Sequence, residues 1–176
     1  MPDSCVLEVA SGGPGQHPEM TRVTGAVVAH SNRIGRARAL AGGVLDVVTD
    51  SGPASWLSIP DDSTHHFLLP DNVILSSTFF ERVRNAVKSM PDAALVLFTP
   101  SDSRNGAAAR QGALAGARWV PAANEGLPAT GVVLPREVAR SYALDHAGTW
   151  PETVLLYRFL KRSGVPVFAA VPNLVD

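Results

Sequence analysis

The chain has little of several things that would direct its chemistry. A single cysteine, Cys5, among 176 residues leaves no partner for an intrachain disulfide and no thiolate cluster for a metal. Aromatic residues make up only 6%, too few for a platform on which nucleic-acid bases stack. Neither charge sign dominates: 15 Lys and Arg face 16 Asp and Glu, a formal net charge of −1, which excludes the broad basic footprint of a nucleic-acid-wrapping protein. No apolar run reaches the roughly 20 residues a membrane helix needs, so no bilayer span is expected. Signature motifs are missing too. There is no G-x-x-x-x-G-K-S/T phosphate loop, no G-x-G-x-x-G after the first apolar run, no G-x-S-x-G elbow, and no His pair at i, i+4 with a Glu. What is present, 45% hydrophobic and 18% charged residues, is the composition of one globular domain, expected in the cytoplasm.

Residues 1–20 contain Gly-Gly-Pro-Gly and no apolar period, and read as a flexible leader to a single domain spanning 21–176. Short apolar runs then alternate with helical patterns. Strands are predicted at 23–29, 44–49, 65–69, 93–99 and 167–171, with shorter extended candidates at 119–120 and 131–134. Helices are predicted at 33–41 (capped by Ser31 or Asn32 and stopped by Gly42-Gly43), behind Thr78, at 105–114, from Pro135 to 144, and behind Thr149 to 163. Thr78 with Glu81, and Thr149 with Glu152, have capping-box spacing. Continuously apolar strands separated by helices predict an α/β fold, three-layer α/β/α, with a mostly parallel central sheet.

In such sheets ligands bind beyond the carboxyl ends of the strands. The residues to weigh are therefore His30, Ser31, Asn32 and Arg33 after the first apolar run, Asp50 after the second, Asp71 and Asn72 after the third, and Ser101, Asp102 and Arg104 after the fourth. Pro70-Asp71-Asn72 has two readings. An adjacent carboxylate and amide oxygen suit a hard divalent cation, and the same residues suit a plain turn. Glu152 likewise reads as a general base or as half of a capping box. His30 reads as a ligand donor or as a satisfied buried histidine, and Arg33, Arg36 and Arg38 as a phosphate-contacting or a solvated face. Of His65 and His66, one is expected at the surface and one packed. Glu125 sits in a loop that suits either a contact or a turn.

Taken together, Ala26–Arg33 (AVVAHSNR), Val47–Asp50 (VVTD) and His65–Val73 (HHFLLPDNV) resemble the donor-binding half of small bacterial glycosyltransferases of the GT-A, nucleotide-diphospho-sugar transferase fold. Thr130–Pro135 (TGVVLP), Pro151–Leu156 (PETVLL) and Val171–Val175 (VPNLV) resemble the acceptor-side and closing segments of the same family. The resemblance implies a Rossmann-like, nucleotide-binding domain that moves a sugar from a nucleotide-diphosphate donor to an acceptor hydroxyl. It places His30, Asn32, Arg33 and Asp50 on the nucleotide sugar, Asp71 and Asn72 on Mn²⁺ or Mg²⁺, and Glu152 at the acceptor. Asn72 stands where the family carries a second carboxylate, and Thr153 where a second acid is common. These departures raise a second expectation from the same resemblance: a catalytically silent domain that binds a nucleotide sugar or a protein partner.

Overall fold

The computed structural model describes residues 7–9, 21–49, 52–122, 127, 130–146 and 153–176. Its strands are β1 (Leu7–Val9), β2 (Thr21–Val28), β3 (Asp46–Val48), β4 (His65–Pro70), β5 (Ala94–Val96), β6 (Trp119–Pro121), β7 (Val132–Pro135) and β8 (Val167–Ala170). The α-helices are α1 (Ile34–Ala41), α2 (Phe79–Ser89), α3 (Arg104–Leu114), α4 (Arg136–His146) and α5 (Thr153–Arg162). A 3-10 helix, Gly52–Ser58, lies between β3 and β4.

All eight strands form one sheet in the order β1-β2-β4-β7-β5-β8-β6, with β3 also on β2. On one edge of β2, β1 pairs with the first three residues and β3 with the last three; β4 pairs along six residues, Val23 opposite His65 through Val28 opposite Pro70. Five strands (β2, β3, β4, β5 and β8) run in one direction, while β1, β7 and β6 run the other way. The sheet is thus mixed, not mostly parallel as expected. The physical reason is that an apolar run such as VVLP looks the same whichever way it is threaded, and reversed β7 is inserted between two parallel strands. Leu7–Val9, inside the expected leader, pairs with β2 as an edge strand.

Apolar clusters flank both faces of the sheet. One gathers Trp56, Leu68, Val132, Tyr142, Leu156 and Phe159, joining β4 and β7 to the 3-10 helix, α4 and α5. The other gathers Val23, Phe67, Leu69, Phe79, Val83 and Leu95, seating α2, while Val27, Ala29, Ala37 and Ala41 seat α1. Because β4 is covered on both faces, it reads as an unbroken apolar run. Gly25 lies opposite Phe67, and a Cβ there would fall 2.1 Å from the Phe67 ring. The glycine is what lets that ring lie across β2 to meet Phe79 edge-on at 5.4 Å.

Helix starts differ from the expected caps. Thr78 holds the N-cap of α2 without a side-chain bond, so the Thr78–Glu81 capping box is not formed. Neither Ser31 nor Asn32 caps α1; Arg33 occupies that position and its side chain is used elsewhere. A side-chain cap does form on α3, where the Ser103 hydroxyl accepts from the Gly106 amide at 2.9 Å. Gly42 closes α1 in the left-handed conformation, φ 59°, as its position predicts. Thr149 and Glu152, the other expected capping pair, lie outside the described residues.

Candidate functional site

The chain leaves β2 through α1 to β3 on one side, then returns through the 3-10 helix to β4 on the other. Where successive connections part in opposite directions, the loops leave a crevice at the carboxyl ends of the strands. That topology puts the loop after β2, carrying His30, Asn32 and Arg33, beside Asp71 at the end of β4.

Asp71 is the anchor of this crevice. Its side chain is 1% exposed, and a carboxylate so buried persists only when its oxygens are paired. Oδ2 accepts from the backbone N–H of His30 at 2.8 Å and from Arg33 Nε at 3.1 Å, and Arg33 Nη2 lies 3.0 Å from Oδ1. The fork of a guanidinium on both oxygens gives direction as well as charge. The His30 amide first, and then Arg33, hold the Asp71 carboxyl below the ordinary carboxylate range against the opposing effect of burial. The plain-turn reading of Asp71 does not account for these bonds, since its partners lie 41 and 38 residues away.

Arg33 closes over the carboxylate but leaves 45% of its side chain exposed, so one face of a fixed cation looks into solvent. Beside it, His30 Nδ1 and Asn32 Oδ1 are 2.7 Å apart. The Asn oxygen accepts, so Nδ1 carries the proton and Nε2 of the neutral ring is left as an acceptor. His30 is exposed, which removes the buried-histidine reading. Asn72 is exposed and lies next to Asp71 in the chain, and Ser101, Asp102 and Arg104 lie exposed beyond β5. Asp50, Glu125 and Glu152 lie outside the described residues.

The two histidines that open β4 are both buried; neither is at the surface. His65 Nε2 donates to the Pro91 carbonyl at 2.7 Å, and burial lowers its pKa against the opposing pull of Pro91 and Asp92. His66 packs edge-on to Trp56, ring centroids 6.1 Å apart, with Nδ1 2.8 Å from the Thr24 hydroxyl. Burial drops its pKa to about 4. Both belong to the core and not to the crevice.

Sequence reasoning did not find the brace between the loops that follow β5 and β8. Asn173 Oδ1 accepts from the Thr99 amide at 3.0 Å and its hydroxyl at 3.3 Å, while Asn173 Nδ2 donates to the Thr99 carbonyl at 3.3 Å. Nothing local signals a pairing 74 residues apart. A cavity of about 850 Å³ opens at the opposite end of the sheet, between His65, Pro91, Pro135 and Pro166. Two of its charged residues, Asp62 and Arg136, are taken up by Arg22 and Glu137. Convergent polar chemistry favours the crevice at Asp71 over that groove.

Among the described residues no three His, Cys, Asp or Glu side chains come together as a metal site, and no helix is long and apolar enough to cross a membrane. The donors around Asp71, one carboxylate already held by a guanidinium and one neutral amide, do not fit a divalent cation in this arrangement. Compared with protein-family models and with curated proteins, the sequence matches none.

Proposed function

We propose that the chain is a GT-A-like domain that binds a nucleotide-diphosphate sugar in the crevice at the carboxyl ends of β2 and β4. The observation that carries this reading is the Asp71–Arg33 fork beside the His30–Asn32 pair, at the point where the connections from β2 diverge. The exposed face of Arg33 meets the diphosphate, held in place by Asp71 from behind. His30 Nε2 is an acceptor and the Asn32 amide NH₂ a donor, a pairing suited to the polar edge of a base or ribose. The family resemblance assigns Asp50, which lies outside the described residues, to the same nucleoside. The mixed sheet with apolar clusters on both faces is compatible with the three-layer form of that fold.

Binding without transfer is the reading that the geometry favours. Transfer assisted by Mn²⁺ or Mg²⁺ at Asp71 and Asn72, with Glu152 activating an acceptor hydroxyl, requires the Arg33–Asp71 pair to open first. The test is thermal stability against a panel of nucleotide diphosphates and nucleotide sugars, with and without Mn²⁺. A ligand that binds only the folded state raises the melting temperature by mass action. The proposal expects a shift with one nucleotide class, without metal, and its loss in Arg33→Ala. No shift with any donor refutes it. A shift that appears only with Mn²⁺ and disappears in Asp71→Asn supports the transferase reading instead.

A further inference from the structure

A second cavity, about 400 Å³, lies between the start of α2, the end of α3 and the turn after β8. Its lining includes Thr78, Arg82, Gly116, Arg118 and Pro172, and among the described residues its only charged ones are the two arginines. Arg82 donates Nη2 to the Val171 carbonyl at 2.8 Å and the Arg118 carbonyl at 3.5 Å, and Nη1 to the Pro172 carbonyl at 3.3 Å, so the guanidinium is fixed by backbone oxygens and has no carboxylate partner among the described residues. Its Nε is buried without a hydrogen-bond partner among the described residues. Arg118 is exposed and forms no ion pair among them. The Thr78 hydroxyl, free of any capping bond, completes the polar lining. Glu81, on the first turn of α2, is not part of the lining.

Two arginines lining one pocket, with no carboxylate among its described lining, repel each other, and desolvation followed by the Arg118 charge lowers the pKa of Arg82. An anion placed between them removes that repulsion. A dianionic oxyanion matches two cations and a hydroxyl donor better than a monoanion does, and the volume suits a small molecule and not a polymer. We propose that this pocket binds the phosphate group of a small phosphorylated molecule, held by Arg82, Arg118 and the Thr78 hydroxyl. It is a site separate from the β2–β4 crevice: β8 stands three strand positions beyond β4, about 14 Å across the sheet at the usual strand spacing.

The test is calorimetric titration of the intact chain with inorganic phosphate, pyrophosphate and a hexose phosphate at constant ionic strength. Arg118→Gln should weaken binding at least about 10-fold, the loss expected for one charged hydrogen-bonding partner. Arg118→Glu should abolish it, and Lys161→Gln, on α5, should leave it unchanged. Because Arg118 is exposed, these variants fold even where an Arg82 substitution does not. A hexose phosphate binding more tightly than inorganic phosphate identifies a phosphorylated metabolite, and equal binding identifies free phosphate; both sustain the site. No binding by any of the three, or binding that Arg118→Gln does not move, overturns it.

Discussion

Acidification should weaken the fold through His66, by an amount the structure allows to be worked out. The ring is fully buried against Trp56, its Nδ1 is satisfied by the Thr24 hydroxyl, and its Nε2 has no partner among the described residues. A second proton would place a charge there with nothing to receive it, which is why its pKa falls from 6.5 to about 4. In the unfolded chain the ring takes up that proton near its ordinary pKa. The unfolded state therefore binds more protons between the two values, and stability falls as pH drops through that window. Between pH 7 and pH 5 the loss is about 2 kcal/mol, and it levels off below pH 4. For a chain of this length that is a fall in melting temperature of about 4–8 °C. His65 acts with the same sign, because its pKa is lowered too, so the clean measurement is a difference. Denaturation of the wild type and of His66→Phe should be followed at both pH values, together with a proton-NMR titration of the ring. The variant should lose most of the pH dependence. An unchanged slope in His66→Phe, or a His66 titration near 6.5, refutes the reasoning.

Three further outcomes follow from named contacts. Gly25→Ala drives a methyl into the Phe67 ring, which Phe79 and Phe80 hold from the other side, and should cost about 1–3 kcal/mol by chemical denaturation. A neutral result would mean that the ring moves freely. Ser103→Ala removes the one side-chain cap at the start of α3 and should cost about 1 kcal/mol, whereas Thr78→Ala, which loses no capping bond, should cost much less. Equal losses would contradict the cap assignment. Arg33→Ala strips the fork from a buried carboxylate and should destabilise the fold by about 1.5–3 kcal/mol while raising the Asp71 pKa. A variant as stable as the wild type would show that Asp71 has other support.

How far the molecule is legible from its residues varies with the range of the interaction. β2, β4 and α2 announce themselves, because a covered strand is a continuous apolar run and Phe80, Val83 and Val87 lie three and four apart, although the helix buries Phe79 and leaves Phe80 only partly covered. The direction of β7 does not, since four apolar residues carry no sign of the way they run. Thr78 and Ser103 show the same limit in capping: spacing favours the first, but only at the second does the backbone bring an amide to the hydroxyl. The expectation of one surface and one packed histidine at 65 and 66 fails because Pro91, 26 positions from His65, supplies the carbonyl that lets it be buried too. The candidate site was legible as a set of loop ends, because polar residues follow each apolar run. Its inner logic was not. Arg33 and Asp71 meet only because β2 and β4 are neighbours, and that adjacency is a property of the topology.

The central claim is that a nucleotide-diphosphate sugar binds beside the Asp71–Arg33 fork. The most direct measurement is backbone and arginine-side-chain NMR of the ¹⁵N-labelled chain during titration with the nucleotide sugar that gives the largest thermal shift. The account predicts the largest shift changes at the His30 amide, Asn32 and Arg33 Nε–H, saturating together with one Kd and without added metal. Changes centred on Arg82 and Arg118, or none at the ends of β2 and β4, would contradict it.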